Sequence, residues 1–268
     1  MSQRIALLGC GRMGSAMAAG WLKAADKPKI SVYAPRPTPL VSQWVEQGEV
    51  VLNPERKPAD ILVIAVKPQV FGNILDEARP LCDESTLVIS VMAAWSVDRL
   101  AEALGTRRIV RALPSTPGAV GQGVTLLSCD ASVSEAELEQ VRALLSPLGW
   151  VEGPMAEETL QVAMTISGSG PAYVFHLVEA LAAAGVANGL ESELAMRLAR
   201  RGVIGSGALL AGSDEDAGAL REGVTSPKGV TAAALEVFMD DHKGFIQLAT
   251  KAIAAAVARD QALARGED

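Results

Sequence analysis

Along the first half of the chain, short apolar runs alternate with stretches of helical character. Ile5-Ala6-Leu7-Leu8, Ile30-Ser31-Val32-Tyr33, Ile61-Leu62-Val63-Ile64-Ala65-Val66, Leu87-Val88-Ile89-Ser90-Val91 and Ile109-Val110-Arg111 are aliphatic and largely β-branched. Runs that are apolar at consecutive positions suit strands buried on both faces of a mostly parallel sheet, with helices covering each side. The spacing predicts a doubly wound α/β domain. A further strand, Val124-Thr125-Leu126-Leu127, and a helix starting near Ser134 are expected to close it, because Ser134-Glu135-Ala136-Glu137 has the spacing of a capping box.

Beyond Gly153 the strand signals stop. From Glu157 onward apolar residues recur at helical period, in Ala- and Leu-rich stretches such as residues 191–210 and 245–264. The expected division is therefore an N-terminal Rossmann-type domain over residues 1–153 and an all-α domain over residues 154–268. Apolar side chains on several faces of the helical half exceed what a small domain buries alone, which points to a homodimer interface.

Composition narrows the function. The 268 residues are 49% hydrophobic, enough for a core in each half, and the low aromatic content with abundant Ala and Gly favours closely packed helices and tight turns. A net charge of -7 with no Lys/Arg run argues against nucleic acid as a partner. Cys10, Cys82 and Cys129 lie far apart without metal-ligand spacing, so no disulfide framework or zinc site is expected, and a reducing cytoplasm fits. The apolar stretch 5–21 is broken by Arg12 and several glycines, unlike a signal peptide; residues 170–187 contain His176 and Glu179, so no membrane span is expected.

The first candidate chemistry follows the first strand. Gly9-Cys10-Gly11-Arg12-Met13-Gly14 has the spacing G-x-G-x-x-G and leads into the small-residue stretch Ser15-Ala16-Met17-Ala18-Ala19. In that pattern one glycine makes the turn, one lets the backbone approach a pyrophosphate, and one permits close helix packing, while the helix N-terminus offers free N–H groups. At the end of the second strand an acidic residue would bind a free ribose hydroxyl, but none occurs between Lys27 and Val45. Instead the strand runs into Ala34-Pro35-Arg36-Pro37-Thr38, where Arg36 suits a 2′-phosphate and Thr38 adds a hydroxyl. NADP(H) is expected in preference to NAD(H).

A second candidate lies in the helical half. In Thr225-Ser226-Pro227-Lys228-Gly229, Ser226 is a good N-cap and Pro227 fits the first helical position, so a helix is expected to start there with free N–H groups for a carboxylate.

With these segments in view, the chain resembles the pyrroline-5-carboxylate reductase family nearly end to end. The resemblance rests on Gly9 to Gly14, Ala65-Val66-Lys67-Pro68-Gln69, Arg111-Ala112-Leu113-Pro114-Ser115-Thr116-Pro117, Ser167-Gly168-Ser169-Gly170-Pro171-Ala172-Tyr173 and Val224-Thr225-Ser226-Pro227-Lys228-Gly229-Val230-Thr231, in that order and spacing. It implies NAD(P)H-dependent reduction of a cyclic imine to proline, a helical dimerisation domain, and often a higher oligomer of dimers. It also implies that Ala65, Val66, Lys67, Pro68, Ala93, Ala94, Asn53 and Pro114 lie along the nucleotide. Ser226, Lys228, Gly229 and Val230 would hold the substrate carboxylate, with Thr231 orienting the imine nitrogen.

Three positions depart from the family pattern: Lys228 and Ala94 stand where Gly is usual, and Ser115 where Asn is usual. They leave open another cyclic or linear imino acid, or a non-catalytic NADP-binding homologue. A β-hydroxyacid dehydrogenase would share the N-terminal fingerprint, but no Lys follows closely after residues 167–173. His176, in an apolar helical stretch, and His242, after Asp240-Asp241, are expected to be structural.

Overall fold

The computed structural model describes residues 3–93 and 95–264. The first unit contains β1 (Arg4–Leu8), α1 (Arg12–Trp21), β2 (Lys29–Tyr33), α2 (Pro39–Glu46), β3 (Val50–Leu52), β4 (Ile61–Ile64), α3 (Pro68–Phe71), α4 (Leu75–Ala78), β5 (Leu87–Ser90), α5 (Val97–Leu104), β6 (Ile109–Pro114), β7 (Gly123–Cys129), α6 (Glu135–Leu145), β8 (Gly149–Glu152) and α7 (Glu157–Ser167). The strands form one sheet in the order β3-β2-β1-β4-β5-β6-β7-β8. Strands β1 to β6 run parallel, β7 pairs antiparallel with β6, and β8 runs parallel to β7.

The continuous apolar runs are explained by burial on both faces. Within β4, Ile61 and Val63 join a cluster with Met17, Trp21 and Val41, whereas Leu62 and Ile64 join the opposite cluster with Phe71, Leu81 and Leu100. Both layers are needed, because successive side chains of a strand point to opposite faces. Local signals start and stop the covering helices. Ser96 caps α5, which ends at Gly105 in the left-handed region (φ 73°), and Ser134 with Glu137 forms the expected capping box of α6. Trp21 ties α1 to α6 by donating its indole N–H to the Leu144 carbonyl at 2.7 Å.

Two strands escaped the sequence pattern. β3 and β8 are three and four residues long and lie at the two edges of the sheet. Edge strands are half exposed, with Val51 at 57% and Trp150 at 67%, so neither carries the continuous apolar run that marks the central ones. β4 and β5 also stop sooner than expected, leaving Ala65, Val66 and Val91 as connections beyond the sheet. β6 runs on to Pro114, paired with Thr125.

By compactness the chain divides between Ser169 and Gly170; the expected boundary at Gly153/Pro154 falls at the end of the last strand. The difference is α7: its Leu160, fully buried, packs on Leu113 and Leu126 of the sheet. Glu157 at its start forms an ion pair with the buried Arg111 and accepts the Val97 backbone N–H at 3.3 Å.

The second unit is helical throughout its described residues: α8 (Gly170–Ala187), α9 (Ser192–Ala211), α10 (Ala217–Gly223), α11 (Val230–Phe238) and α12 (Phe245–Ala264). Gly185 lets α8 approach α9, since a Cβ there would meet the Ala195 Cβ at 3.2 Å. Much apolar surface is left uncovered, including Phe175 at 65%, Leu209 at 61% and Ile246 at 72% exposure. Residues 157–187 are long and apolar enough to cross a membrane by length and composition, but they form two helices, and α8 carries a His176–Glu179 pair at 2.9 Å. His176 is thus on the outside of the isolated chain, and His242 lies in a polar turn where its N–H binds the Asp240 carboxylate.

Candidate active site

In the first unit the glycine loop sits where β1 and β4 lie side by side while the chain leaves them toward opposite edges of the sheet. Such a switch point opens a crevice at the carboxyl ends of the strands. Gly9 has φ 89°, and a Cβ there would lie 2.6 Å from Val66 Cγ1 and 2.8 Å from the Ala65 oxygen. At Gly14 a Cβ would fall 2.6 Å from the Gly9 oxygen. These two glycines let the loop close down on Ala65 and Val66.

Gly11 is different. It is the N-cap of α1, has no side-chain cap, and a Cβ on it would meet nothing within 4 Å. The first intrahelical bond runs from Ser15 N–H to the Gly11 carbonyl, so the N–H groups of Arg12, Met13 and Gly14 are left for a ligand. An uncapped helix start facing open space fits a pyrophosphate. Arg12 is exposed beside it without a hydrogen bond or ion pair to any described residue. Cys10 is buried, its Sγ lies 3.6 Å from the Ser15 hydroxyl, and burial raises its thiol pKa; it stays a neutral packing residue.

At the end of β2, Ala34 is buried and its backbone is held by Asn53, while Arg36 is exposed and has no ion-pair or hydrogen-bond partner among the described residues. Thr38 caps α2, its hydroxyl oxygen accepting the Val41 N–H at 3.4 Å. Lys67 is the exposed N-cap of α3, with Pro68 at the first helical position. Ala93 follows β5 in a turn, and Trp95 is buried and packs edge-on against Phe71 at 4.9 Å. Ala94 lies outside the described residues. Pro114 ends β6; Ser115 after it is buried, its hydroxyl oxygen accepting the Val124 N–H at 2.9 Å. That hydroxyl extends the β6–β7 ladder.

Of the residues expected along the nucleotide, the described ones lie at or after the carboxyl ends of β1, β2, β3, β4, β5 and β6, with Asn53 following β3. Sequence reasoning missed the part played by Glu157 and Arg111, because an ion pair between residues 46 positions apart leaves no local pattern.

The residues predicted for the carboxylate belong to the second unit, and one expectation needs correcting. No helix starts at Pro227: α11 begins at Val230, with Gly229 as its N-cap, so Ser226 is not a capping residue. Pro227 and Lys228 are the central residues of a turn closed by Gly229 N–H to the Ser226 carbonyl at 2.9 Å, and Lys228 has φ 57°. Pro followed by a residue of positive φ is the type II turn pattern, which competes with a helix start. The Gly229 N–H is therefore engaged, and the free donors shift to Val230, Thr231 and Ala232. The side chains of Lys228 and Thr231 are exposed and have no hydrogen-bond partner among the described residues.

The first unit is a doubly wound, nicotinamide-nucleotide type of oxidoreductase domain. Its residues 4–94 match a family model described as "NADP oxidoreductase coenzyme F420-dependent", and residues 157–263 match one described as "Pyrroline-5-carboxylate reductase dimerisation". The pyrroline-5-carboxylate reductase of Escherichia coli K12 is 32% identical over 99% of this chain and 100% of its own length, and that of Pseudomonas aeruginosa 33% over 97% of each. Solved structures agree: the Coxiella burnetii enzyme superposes with TM-score 0.83 at 29% identity over 98% of this chain and 99% of that one. The Plasmodium falciparum enzyme, solved with NADP bound, gives 0.76 at 29% over 98% of each. A 3-hydroxyisobutyrate dehydrogenase from Mycobacterium tuberculosis, 17% identical with TM-score 0.53, shares the fold alone.

The chain belongs to the pyrroline-5-carboxylate reductase family. Its helical half is a dimerisation domain, which accounts for the apolar faces left bare in a single copy.

Proposed function

We propose that this protein catalyses NADPH-dependent reduction of 1-pyrroline-5-carboxylate to proline, as a cytoplasmic homodimer or an oligomer of such dimers. The observation that carries the reading is the uncapped, open start of α1 at the β1/β4 switch point, in a chain that aligns end to end with these reductases.

The α1 N-terminus, with Gly9 to Gly14, holds the pyrophosphate. Arg36 pairs with the 2′-phosphate, with the Thr38 hydroxyl beside it. Ala65 to Pro68, Ala93, Ala94 and Pro114 line the nucleotide. In the helical unit the free N–H groups of Val230 and Thr231 take the imino-acid carboxylate, and Lys228 adds a positive charge next to Gly229. The Thr231 hydroxyl orients the ring nitrogen by accepting its N–H when the imine is protonated.

The coenzyme supplies the hydride that converts the imine carbon to the saturated ring carbon. A protonated imine is electrophilic enough that the protein's contribution is orientation, and no buried acid–base pair is called for. Neither histidine is given a part in this step.

The test is NADPH oxidation with 1-pyrroline-5-carboxylate. Saturable turnover is expected, and Thr231→Ala should lower kcat by roughly a hundredfold while NADPH affinity holds. Tight NADPH binding with no turnover on any imine would replace this reading with a non-catalytic one. Lys228, a side chain held at φ 57° where the family usually has Gly, favours one second reading: a different imino acid on the same scaffold. Faster turnover of a six-membered or linear imine than of the five-membered one would establish that instead.

A further inference from the structure

Glu157, the first residue of α7, holds two other elements at once. Its Oε2 accepts from the Arg111 Nη1 on β6, and its Oε1 accepts the Val97 backbone N–H at the start of α5, at 3.3 Å. Each contact adjoins a segment expected along the coenzyme. Val97 closes the turn 91–96, which carries Ala93, and Arg111 precedes Pro114 on the same strand.

The turn is also fastened to the sheet. Met92 is buried and donates its N–H to the Ser90 hydroxyl at 3.3 Å, and Ser90 stands opposite Arg111 in the β5–β6 register. Trp95 meets Phe71 edge-on and carries the Arg99 guanidinium 3.9 Å from its ring centroid. Glu157 adds a directional link from the end of this turn to β6. On the other side Leu160 of α7 packs on Leu113, the residue before Pro114.

Stability alone does not account for the pair. Arg111 is buried, its Nε has no partner among the described residues, and Glu157 is the carboxylate that balances its charge. Apolar side chains of similar volume often hold a fold as well as such a pair does; what the pair adds is a fixed direction and distance.

We infer that the Arg111–Glu157 pair is a positioning device for the coenzyme: Glu157 sets the spacing between the turn 91–96 and the Pro114 end of β6, the two segments that flank the nucleotide. This inference rests on the coenzyme-binding part of the reading above and is independent of which imine is reduced. The effect passes through backbone, from Val97 to the turn and from Arg111 along β6.

The experiment compares Arg111→Met, Glu157→Leu and the double variant in the full-length protein, measuring Kd for NADPH and for NADH by fluorescence titration and stability by denaturant unfolding. Each single variant strands one partner and should unfold at lower denaturant, whereas the double variant removes both charges and should recover most of that loss. Coenzyme binding should not recover with it. All three variants should bind NADPH and NADH about tenfold more weakly than the parent, equally for both, because the spacing is lost when either end of the tie is cut.

Parent-like Kd in the double variant means that the pair only stabilises the fold, and overturns the inference. Additive losses from the two single variants mean that Arg111 makes its own contact with the coenzyme, and overturn it too. So does tighter binding in Glu157→Leu, the sign expected if the carboxylate lay against the phosphates, and so does a loss confined to NADPH. Where these variants fold poorly, Glu157→Gln serves: it keeps the volume, its one oxygen reaches only one of the two donors, and an equal weakening of about threefold is expected, with parent-like Kd overturning the inference. A parent that binds coenzyme but reduces no imine fails the proposed reaction and leaves these affinities readable; a parent that binds neither coenzyme overturns both.

Discussion

The three fingerprint glycines differ in what a methyl group would touch, and this separates folding from coenzyme binding. At Gly9, Ala would adopt φ 89° and bring its Cβ to 2.6 Å from Val66 Cγ1 and 2.8 Å from the Ala65 oxygen. Left-handed strain costs about 1–2 kcal/mol and overpacking about 1–3 kcal/mol, so Gly9→Ala should destabilise the free protein by roughly 2–5 kcal/mol. At Gly11 the φ is -77° and the methyl meets no protein atom within 4 Å. Ala is a poorer N-cap than Gly but restricts the unfolded chain, and these opposed effects leave stability within about 1 kcal/mol of the parent.

The methyl group at Gly11 does, however, occupy the space proposed for the pyrophosphate. Denaturant unfolding of the coenzyme-free protein, alongside fluorescence titration with NADPH, reads both effects. Gly11→Ala should unfold like the parent and bind NADPH at least about tenfold more weakly, the loss of one to two charge-assisted backbone contacts. Parent-like NADPH affinity in Gly11→Ala would refute the reasoning, because the pyrophosphate would then not lie against that helix start.

Two predictions concern the framework. Removing one partner of a buried ion pair leaves the other charge uncompensated, so Glu157→Leu, which abandons the buried Arg111, should cost about 3–5 kcal/mol in denaturant unfolding; a loss under about 1 kcal/mol would mean that α7 is held by Leu160 alone. For Glu137, burial pushes the carboxyl pKa up, but hydrogen bonds from the Ser134 side chain and backbone and from Arg108 outweigh it, and the net shift is downward. A folded pKa below the unfolded one gives stability that is present above the ordinary carboxylate pKa and lost as pH falls through the folded value. The gap in Tm between the parent and Glu137→Gln should therefore be widest near neutrality and close below a pH of about 4; a gap independent of pH would contradict the assignment.

Elements whose information is local can be read directly along the chain. Continuous apolar runs located the central strands because burial on both faces requires them. The G-x-G-x-x-G turn and the Ser134–Glu137 capping box were legible because each is satisfied within a few residues of chain. The all-α half was legible for the same reason.

Tertiary structure decided whatever depends on a distant neighbour. Edge strands β3 and β8 form only because a central strand is there to pair with. The helix α7 follows the sheet because Leu160 and Glu157 find partners on β6 and β7 and at the start of α5. The Ser226–Gly229 turn displaced an expected helix start, since Pro is equally suited to both and only the fold of the surrounding chain selects one. Asn53 is singled out in the sequence only by family resemblance; that its amide extends a strand follows from the parallel pairing of β2 with β3, which brings it to Ala34. Local patterns specify what a segment prefers, and only the three-dimensional arrangement specifies which polar groups meet.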